Sequence, residues 1–227
     1  MIKLPSKKFW ILKMPKYSIV IFVLFNLLGM LYYPGGTIGD PTTKGYLFSQ
    51  NFFSDLGNSV SHSGEKNIIS FILFNFSLSV CGLTFSMLFF SIRNVFDLSL
   101  LNFFASLCGI LGGLSCIGVA LTPADLFLEP HIIFANGIFR FLFAASVLYS
   151  ILIFKSNDLD NKYAYGFIIF GIMVLIYILI SELGPNPRLN PDALTLQVVS
   201  QKVIILWLFI SIYIYSLGLG KHLYSKS

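Results

Sequence analysis

Long apolar runs separated by short polar connections dominate the pattern along this chain. A transmembrane α-helix needs about 20 predominantly apolar residues, and the runs are close to that length. The pattern therefore predicts an all-α fold, a polytopic transmembrane bundle of six helices that forms a single domain over residues 17–219. The predicted helices cover residues 17–33, 67–92, 98–121, 131–154, 163–181 and 198–219.

The longest polar connection lies between the first two predicted helices. It opens at Pro34 with the run PGGTIGDP, whose prolines and glycines are typical of turns. The following segment, Tyr46–Gly57 (YLFSQNFFSDLG), is too apolar for a free loop and too short to span a bilayer. We expect a short amphipathic segment here, either lying in the membrane interface or re-entrant, folded back over the bundle.

Composition supports a membrane protein. The 227 residues are 56% hydrophobic and only 11% charged, whereas about 25% of the residues of a soluble domain are charged. The net charge of +5 does not predict a nucleic-acid partner, because lysines concentrate in a leader (residues 1–16) and recur in the connections predicted on the same side. By the positive-inside rule, we expect the leader and the tail (220–227) to lie on the cytoplasmic side of the cell membrane. These side-defining lysines are Lys3, Lys7, Lys8, Lys13, Lys16, Lys155, Lys162, Lys221 and Lys226.

The cysteines indicate neither a disulfide framework nor a metal site. Cys81, Cys108 and Cys116 all fall inside apolar runs, and no two of them form a CxxC pair. The chain also lacks an HExxH motif, a P-loop and a GxGxxG motif after a strand. We therefore expect no cofactor and no bound metal, and we interpret the cysteines as small packing residues.

Several polar residues lie just before the fourth predicted helix and within its first half, in the sequence TPADLFLEPHIIFANGIFR. Arg140 lies about 15 Å below the start of that helix at 1.5 Å per residue, and Asn136 is one turn away on the same face. An arginine at this depth costs about 2.5–3.5 kcal/mol on insertion scales, so it needs a partner. We expect a polar cavity that opens outward with Arg140 at its floor. Its acidic rim would comprise Asp55, Asp125, Glu129 and Glu182.

Two interpretations of Arg140 stay open at this point. Its guanidinium could be paired for structure alone, or it could bind an anionic head group, because arginine offers a bidentate fork to phosphate and carboxylate. His131 has a similar ambiguity, since a histidine at a helix start can form a local hydrogen bond or act as a base.

Three short motifs resemble those of a known family. They are SDLG at Ser54–Gly57, an asparagine (Asn75) within the second helix, and the TPAD…EPH pattern that contains Pro123, Asp125 and His131. In this combination the chain resembles prokaryotic six-helix membrane proteins of a domain-of-unknown-function group related to the DRAM/Frag/Sfk family. The resemblance covers most of the chain. It implies a six-helix fold and a role in lipid handling at membranes, and it supplies no catalytic residues.

Three functional hypotheses follow. The first is a protein that binds or handles a lipid in the cavity above Arg140, with membrane lipids as partners. The second is a scaffold or assembly subunit that binds other membrane subunits through its helices. The third is an intramembrane hydrolase that uses His131 with Asp55 or Asp125. The candidate site residues are Arg140, Asn136, His131, Asp125, Asp55, Ser54 and Asn75.

Overall fold

The computed structural model describes residues 6–96, 99–156 and 159–225. Lys3 and Lys226, which belong to the predicted leader and tail, and Leu98, where the third predicted helix begins, lie outside this part of the chain. Within it the protein is a helical bundle. Its α-helices are α1 (Lys7–Leu12), α2 (Met14–Tyr32), α3 (Ile68–Ile92), α4 (Leu100–Leu121), α5 (Leu128–Lys155), α6 (Lys162–Leu183) and α7 (Pro191–Ser225).

The prediction of six spanning helices is confirmed. Helices α2 to α7 are each long and apolar enough to cross a membrane, which makes this a multi-pass integral membrane protein. The largest difference in boundaries is at α7, which begins at Pro191 rather than at residue 198. Asn190 caps this longer start, because its Oδ1 accepts a hydrogen bond from the backbone N–H of Ala193 at 3.0 Å.

The helices form a ring in chain order. Each helix from α2 to α6 packs against the helix that follows it in the chain, and the last of these pairs is α6 with α7. The ring closes between α7 and α2, where the contact is slight. Helix α1 lies beside the last part of α7, because Ser216 of α7 donates a 2.8 Å hydrogen bond to the carbonyl of Ile11 in α1. Part of the predicted leader is thus a short helix that is packed on the bundle.

Small residues bring α3 and α4 into close contact. A Cβ atom placed on Gly113 would lie 2.6 Å from the carbonyl oxygen of Gly82, which leaves no room for a side chain. Gly109 and Gly113, one turn apart, both face α3. The GxxxG spacing of α4 therefore has a packing role, as in other membrane helix pairs.

Residues 33–66, here called the capping loop, cover one end of the ring. Gly36 adopts a φ of +80°, a conformation that favours glycine, and so allows the turn after Pro34. The Tyr46–Gly57 segment is not one amphipathic helix. It consists of turns followed by a 3-10 helix at Phe53–Gly57, and it folds over the bundle so that Leu56 is fully buried.

Candidate functional site

A cavity of about 80 Å³ lies inside the ring, beneath the capping loop. This is smaller than the range of about 300–1,000 Å³ that is usual for small-molecule sites, so the cavity has room for only part of a ligand. Helices α2, α3, α4, α5 and α7 all contribute to its wall. The lining residues are Phe22, Phe53, Ser54, Phe74, Leu78, Cys81, Phe85, Cys116, Val119, His131, Ala135, Ile138, Phe139, Gln201, Ile205, Leu208 and Phe209.

The wall is almost wholly apolar, and its polar side chains come from residues close to the capping loop. Ser54 belongs to that loop, and His131 is in the first turn of α5. Gln201 on α7 uses its Oε1 to accept a hydrogen bond from the backbone N–H of Phe53 at 3.2 Å. The cavity thus has a polar end under the loop and an apolar body between the helices.

The geometry around His131 defines its tautomer. Its Nδ1 lies 2.7 Å from the carbonyl oxygen of Thr122 at the end of α4. A carbonyl oxygen only accepts, so Nδ1 must carry the hydrogen. In the neutral ring Nε2 then has a free lone pair, on a side chain that lines the cavity. His131 can therefore accept a hydrogen bond or a proton there.

Two side chains of α7, those of Gln201 and Lys202, fasten the capping loop over this cavity. Lys202 is only 5% exposed, and its Nζ donates a 2.6 Å hydrogen bond to the carbonyl of Asn51. The same ammonium lies 5.0 to 5.5 Å from the ring centres of Tyr46, Phe48 and Phe53. Carbonyl and aromatic faces thus replace water around this cation.

The opposite side of the loop is fastened to α3 and to the α4–α5 turn. Asn67 Nδ2 donates to the carbonyls of Leu56 (3.0 Å) and Asn58 (2.9 Å). Asn75 Nδ2 donates to the carbonyl of Gly57 at 3.2 Å. Asp125 accepts hydrogen bonds from the backbone N–H groups of Ser59 (3.1 Å) and Val60 (3.0 Å), and also from the Ser59 hydroxyl.

Asp55 organises the interior of the loop. Its Oδ2 accepts hydrogen bonds from Asn51 Nδ2 and from the backbone N–H of Phe52, both at 3.0 Å. Its Oδ1 lies 3.3 Å from Nε2 of His62. The neighbouring carboxylate raises the pKa of His62, although partial burial opposes this shift.

The structure places Arg140 away from this cavity. Its guanidinium is paired with the Glu182 carboxylate near the end of α6, and its side chain is 56% exposed on the outside of the bundle. It does not line the cavity described above. Asn136 is half-buried on the same helix and is also absent from the lining. The periodicity correctly places these residues on one helix, but it does not indicate which face of α5 points inward.

The predicted site residues therefore fall into three groups. Ser54 and His131 line the cavity, and Asp55, Asp125 and Asn75 hold the capping loop. Arg140 and Asn136 lie apart from both. Sequence reasoning missed Gln201 and Lys202, although a lysine inside a predicted spanning helix is the same signal that drew attention to Arg140.

No three His, Cys, Asp or Glu side chains come together as metal ligands within residues 6–96, 99–156 and 159–225. Comparisons of the chain with protein-family models, with curated proteins and with solved structures find no match. The geometry of the cavity and the loop is therefore the basis for the functional argument.

Proposed function

We propose that this protein binds a membrane lipid, with an acyl chain in the cavity inside the ring. The observation that carries this proposal is the apolar body of the cavity, which is bounded by phenylalanine and aliphatic side chains and has Ser54, His131 and Gln201 at its loop end. A hydrocarbon chain matches the apolar part, and the ester or hydroxyl groups of a lipid match the polar end.

Two predictions from the sequence, the family resemblance and the membrane orientation, agree with this proposal. The resemblance to the DRAM/Frag/Sfk-related group implies lipid handling, and the distribution of lysines predicts that the capping loop faces away from the cytoplasm. In that orientation the cavity would serve lipid of the outer leaflet of the cell membrane. Arg140 was expected to hold the head group, but Glu182 already neutralises its charge.

The direct test is to fill the cavity. Ala135 and Ala144 both belong to α5 and are both partly buried, but only Ala135 lines the cavity. The full-length protein would be purified in detergent, and the lipid that it retains would be quantified by mass spectrometry. We expect Ala135→Phe to lose retained lipid and Ala144→Phe to keep it. Equal retention by wild type and both variants would show that the cavity is not the binding site.

A hydrolase is the second candidate, and the tautomer of His131 favours it. Nε2 could take a proton from water as that water attacks an ester carbonyl, giving a carboxylic acid and an alcohol. The predicted partners Asp55 and Asp125 instead accept hydrogen bonds from backbone N–H groups of the capping loop. Release of fatty acid from ester lipids by wild type but not by His131→Asn would support this function.

The assembly-subunit hypothesis stays a prediction. It expects a defined complex with other membrane subunits, so a purified protein that is monomeric in lipid nanodiscs would count against it.

A further inference from the structure

A second space lies on the outside of the ring, at the slight contact between α2 and α7. This groove has a volume of about 120 Å³. Side chains at its edge are well exposed: Val23 is 41%, Leu27 is 54% and Leu206 is 58% exposed. In a spanning bundle, exposed apolar side chains such as these contact lipid. We therefore expect lipid to fill the groove when the protein is in a membrane.

Only a thin layer of side chains separates this groove from the internal cavity. Phe22, Phe53, Ile205 and Phe209 line both spaces. The rings of Phe22 and Phe209 meet edge to face at 5.3 Å between centroids, and Phe22 and Phe53 do so at 5.8 Å. Side-chain rotamer changes are faster than backbone motions, so we expect this layer to open by rotation of its phenylalanine side chains. We call these four residues the partition.

The cation of Lys202 lies beside this groove. Its side chain is part of the groove wall at the level of the capping loop. Its ammonium has one short hydrogen bond, to Asn51, and a longer one of 3.5 Å to the carbonyl of Val198. Among the described residues, no carboxylate lies within ion-pair distance of it, and Asp55 is engaged elsewhere. A buried ammonium without a paired carboxylate attracts an anionic ligand.

Asn26 adds a second polar group to the groove. Its Nδ2 donates to the carbonyl of Phe22 at 2.8 Å and lies 3.3 Å from the Ser77 hydroxyl. Its Oδ1 is buried without a hydrogen-bond partner in the described part of the chain. A hydroxyl donor from a ligand in the groove would satisfy this acceptor, because buried polar groups usually have a hydrogen-bond partner. Ammonium and amide together suit the head group of a lipid, and the flanking side chains suit its chains.

We propose that the groove between α2 and α7 is the route by which an anionic lipid reaches the cavity, with its head group held at Nζ of Lys202 and a chain passing through the partition. This inference deepens the proposed function and rests on it. The proposed function requires only that the cavity binds lipid. The inference adds an anionic head group, a ligand for it and a lateral path.

The first experiment tests the head group. Full-length protein would be incubated with phosphatidylglycerol or phosphatidylcholine of identical acyl chains, and retained lipid would be quantified after detergent exchange. We expect wild type to prefer phosphatidylglycerol, and Lys202→Met to reduce that preference about tenfold, as expected for loss of a charged hydrogen bond. Lys66→Met, on an exposed residue of the same loop, is the control and should keep the preference.

The second experiment tests the path without touching the loop contacts of Lys202. Leu24 and Leu27 are both 54% exposed on α2, but only Leu27 lines the groove. Leu27→Trp should slow the exchange of bound lipid with lipid added in vesicles, whereas Leu24→Trp should not. Because both side chains face lipid, neither change disturbs the core of the bundle.

The possible results separate the two proposals. If wild type retains lipid in the cavity without head-group preference, and Leu27→Trp exchanges as fast as Leu24→Trp, the groove is not the route and the cavity proposal stands. If wild type retains no lipid, and Ala135→Phe is indistinguishable from it, the proposed function itself is wrong. If Lys202→Met unfolds, the preference of wild type and the tryptophan pair still decide the inference.

Discussion

The Asp55 carboxylate lies 3.3 Å from Nε2 of His62, and both residues belong to the capping loop. We expect this contact to make the loop sensitive to pH. Asp55 has the largest influence and raises the pKa of His62 above its ordinary value of 6.5, Asp125 acts in the same direction, and burial and Arg188 oppose them. The folded protein therefore binds the proton more tightly than the unfolded chain.

The stabilisation from this pair is complete below pH 6.5 and declines as the pH rises through the higher pKa of the folded state. We expect amide hydrogen exchange in the capping loop to become faster above this range, after correction for the intrinsic pH dependence of exchange. His62→Gln should remove the effect and leave a flat profile. The same pH dependence in His62→Gln as in wild type would assign it to another group.

The hydrogen bonds of Asn67 predict that this residue has a large role in stability. The side chain is 1% exposed, and its amide satisfies two carbonyl groups of the capping loop. Asn67→Ala leaves both acceptors without their donor, so we expect a loss of about 1–3 kcal/mol in the free energy of unfolding. Thermal unfolding in detergent would measure it. Asn190→Ala, which removes a helix cap on α7, serves as a comparison with a smaller expected loss of about 1 kcal/mol.

The pair formed by Arg140 and Glu182 predicts coupled behaviour. Arg140→Leu leaves a carboxylate without its partner on the outside of the bundle, and we expect lower thermal stability than in wild type. Arg140→Leu combined with Glu182→Leu should recover most of the loss, with a coupling free energy of about 0.6 kcal/mol or more. The measurement is a double-mutant cycle in nanodiscs.

An alternative result would restore the sequence-based interpretation of Arg140. If Arg140→Leu is as stable as wild type but loses retained phosphatidylglycerol, the arginine binds the head group and Glu182 is only a local counter-ion. Arg188→Leu, at an exposed residue of the α6–α7 connection, controls for a general effect of removing positive charge.

The contrast between Arg140 and Lys202 shows what the sequence can predict here. Apolar runs of sufficient length predict spanning helices directly, and all six are present. Helical spacing also places Asn136 and Arg140 one turn apart. In a membrane, however, helix faces toward lipid and toward the core are both apolar, so polarity does not distinguish the inner face of α5.

The fastening of the capping loop is not predictable for a different reason. Lys202 meets Asn51, and Asp125 meets Ser59, across long separations in the chain. No local pattern encodes such pairs, because they depend on how the helices are arranged around the ring. The short SDLG and TPAD motifs do contain Ser54, Asp55 and Asp125, so they mark residues of the loop and its attachment without indicating the partner of each.

The attachment formed by Asp125 yields the last prediction. Its carboxylate holds two backbone N–H groups of the capping loop, those of Ser59 and Val60, against the turn that leads into α5 and His131. Asp125→Ala should release this corner, with faster hydrogen exchange at both amides and a loss of about 1 kcal/mol in stability. Asp160→Ala is the matched control, because Asp160 forms an exposed ion pair with Lys162 away from the loop. Because the loop covers the polar end of the cavity, faster release of bound lipid should accompany the first change and not the second. Unchanged exchange at Ser59 and Val60 in Asp125→Ala would mean that Asn67 and Lys202 are sufficient to keep the loop in place.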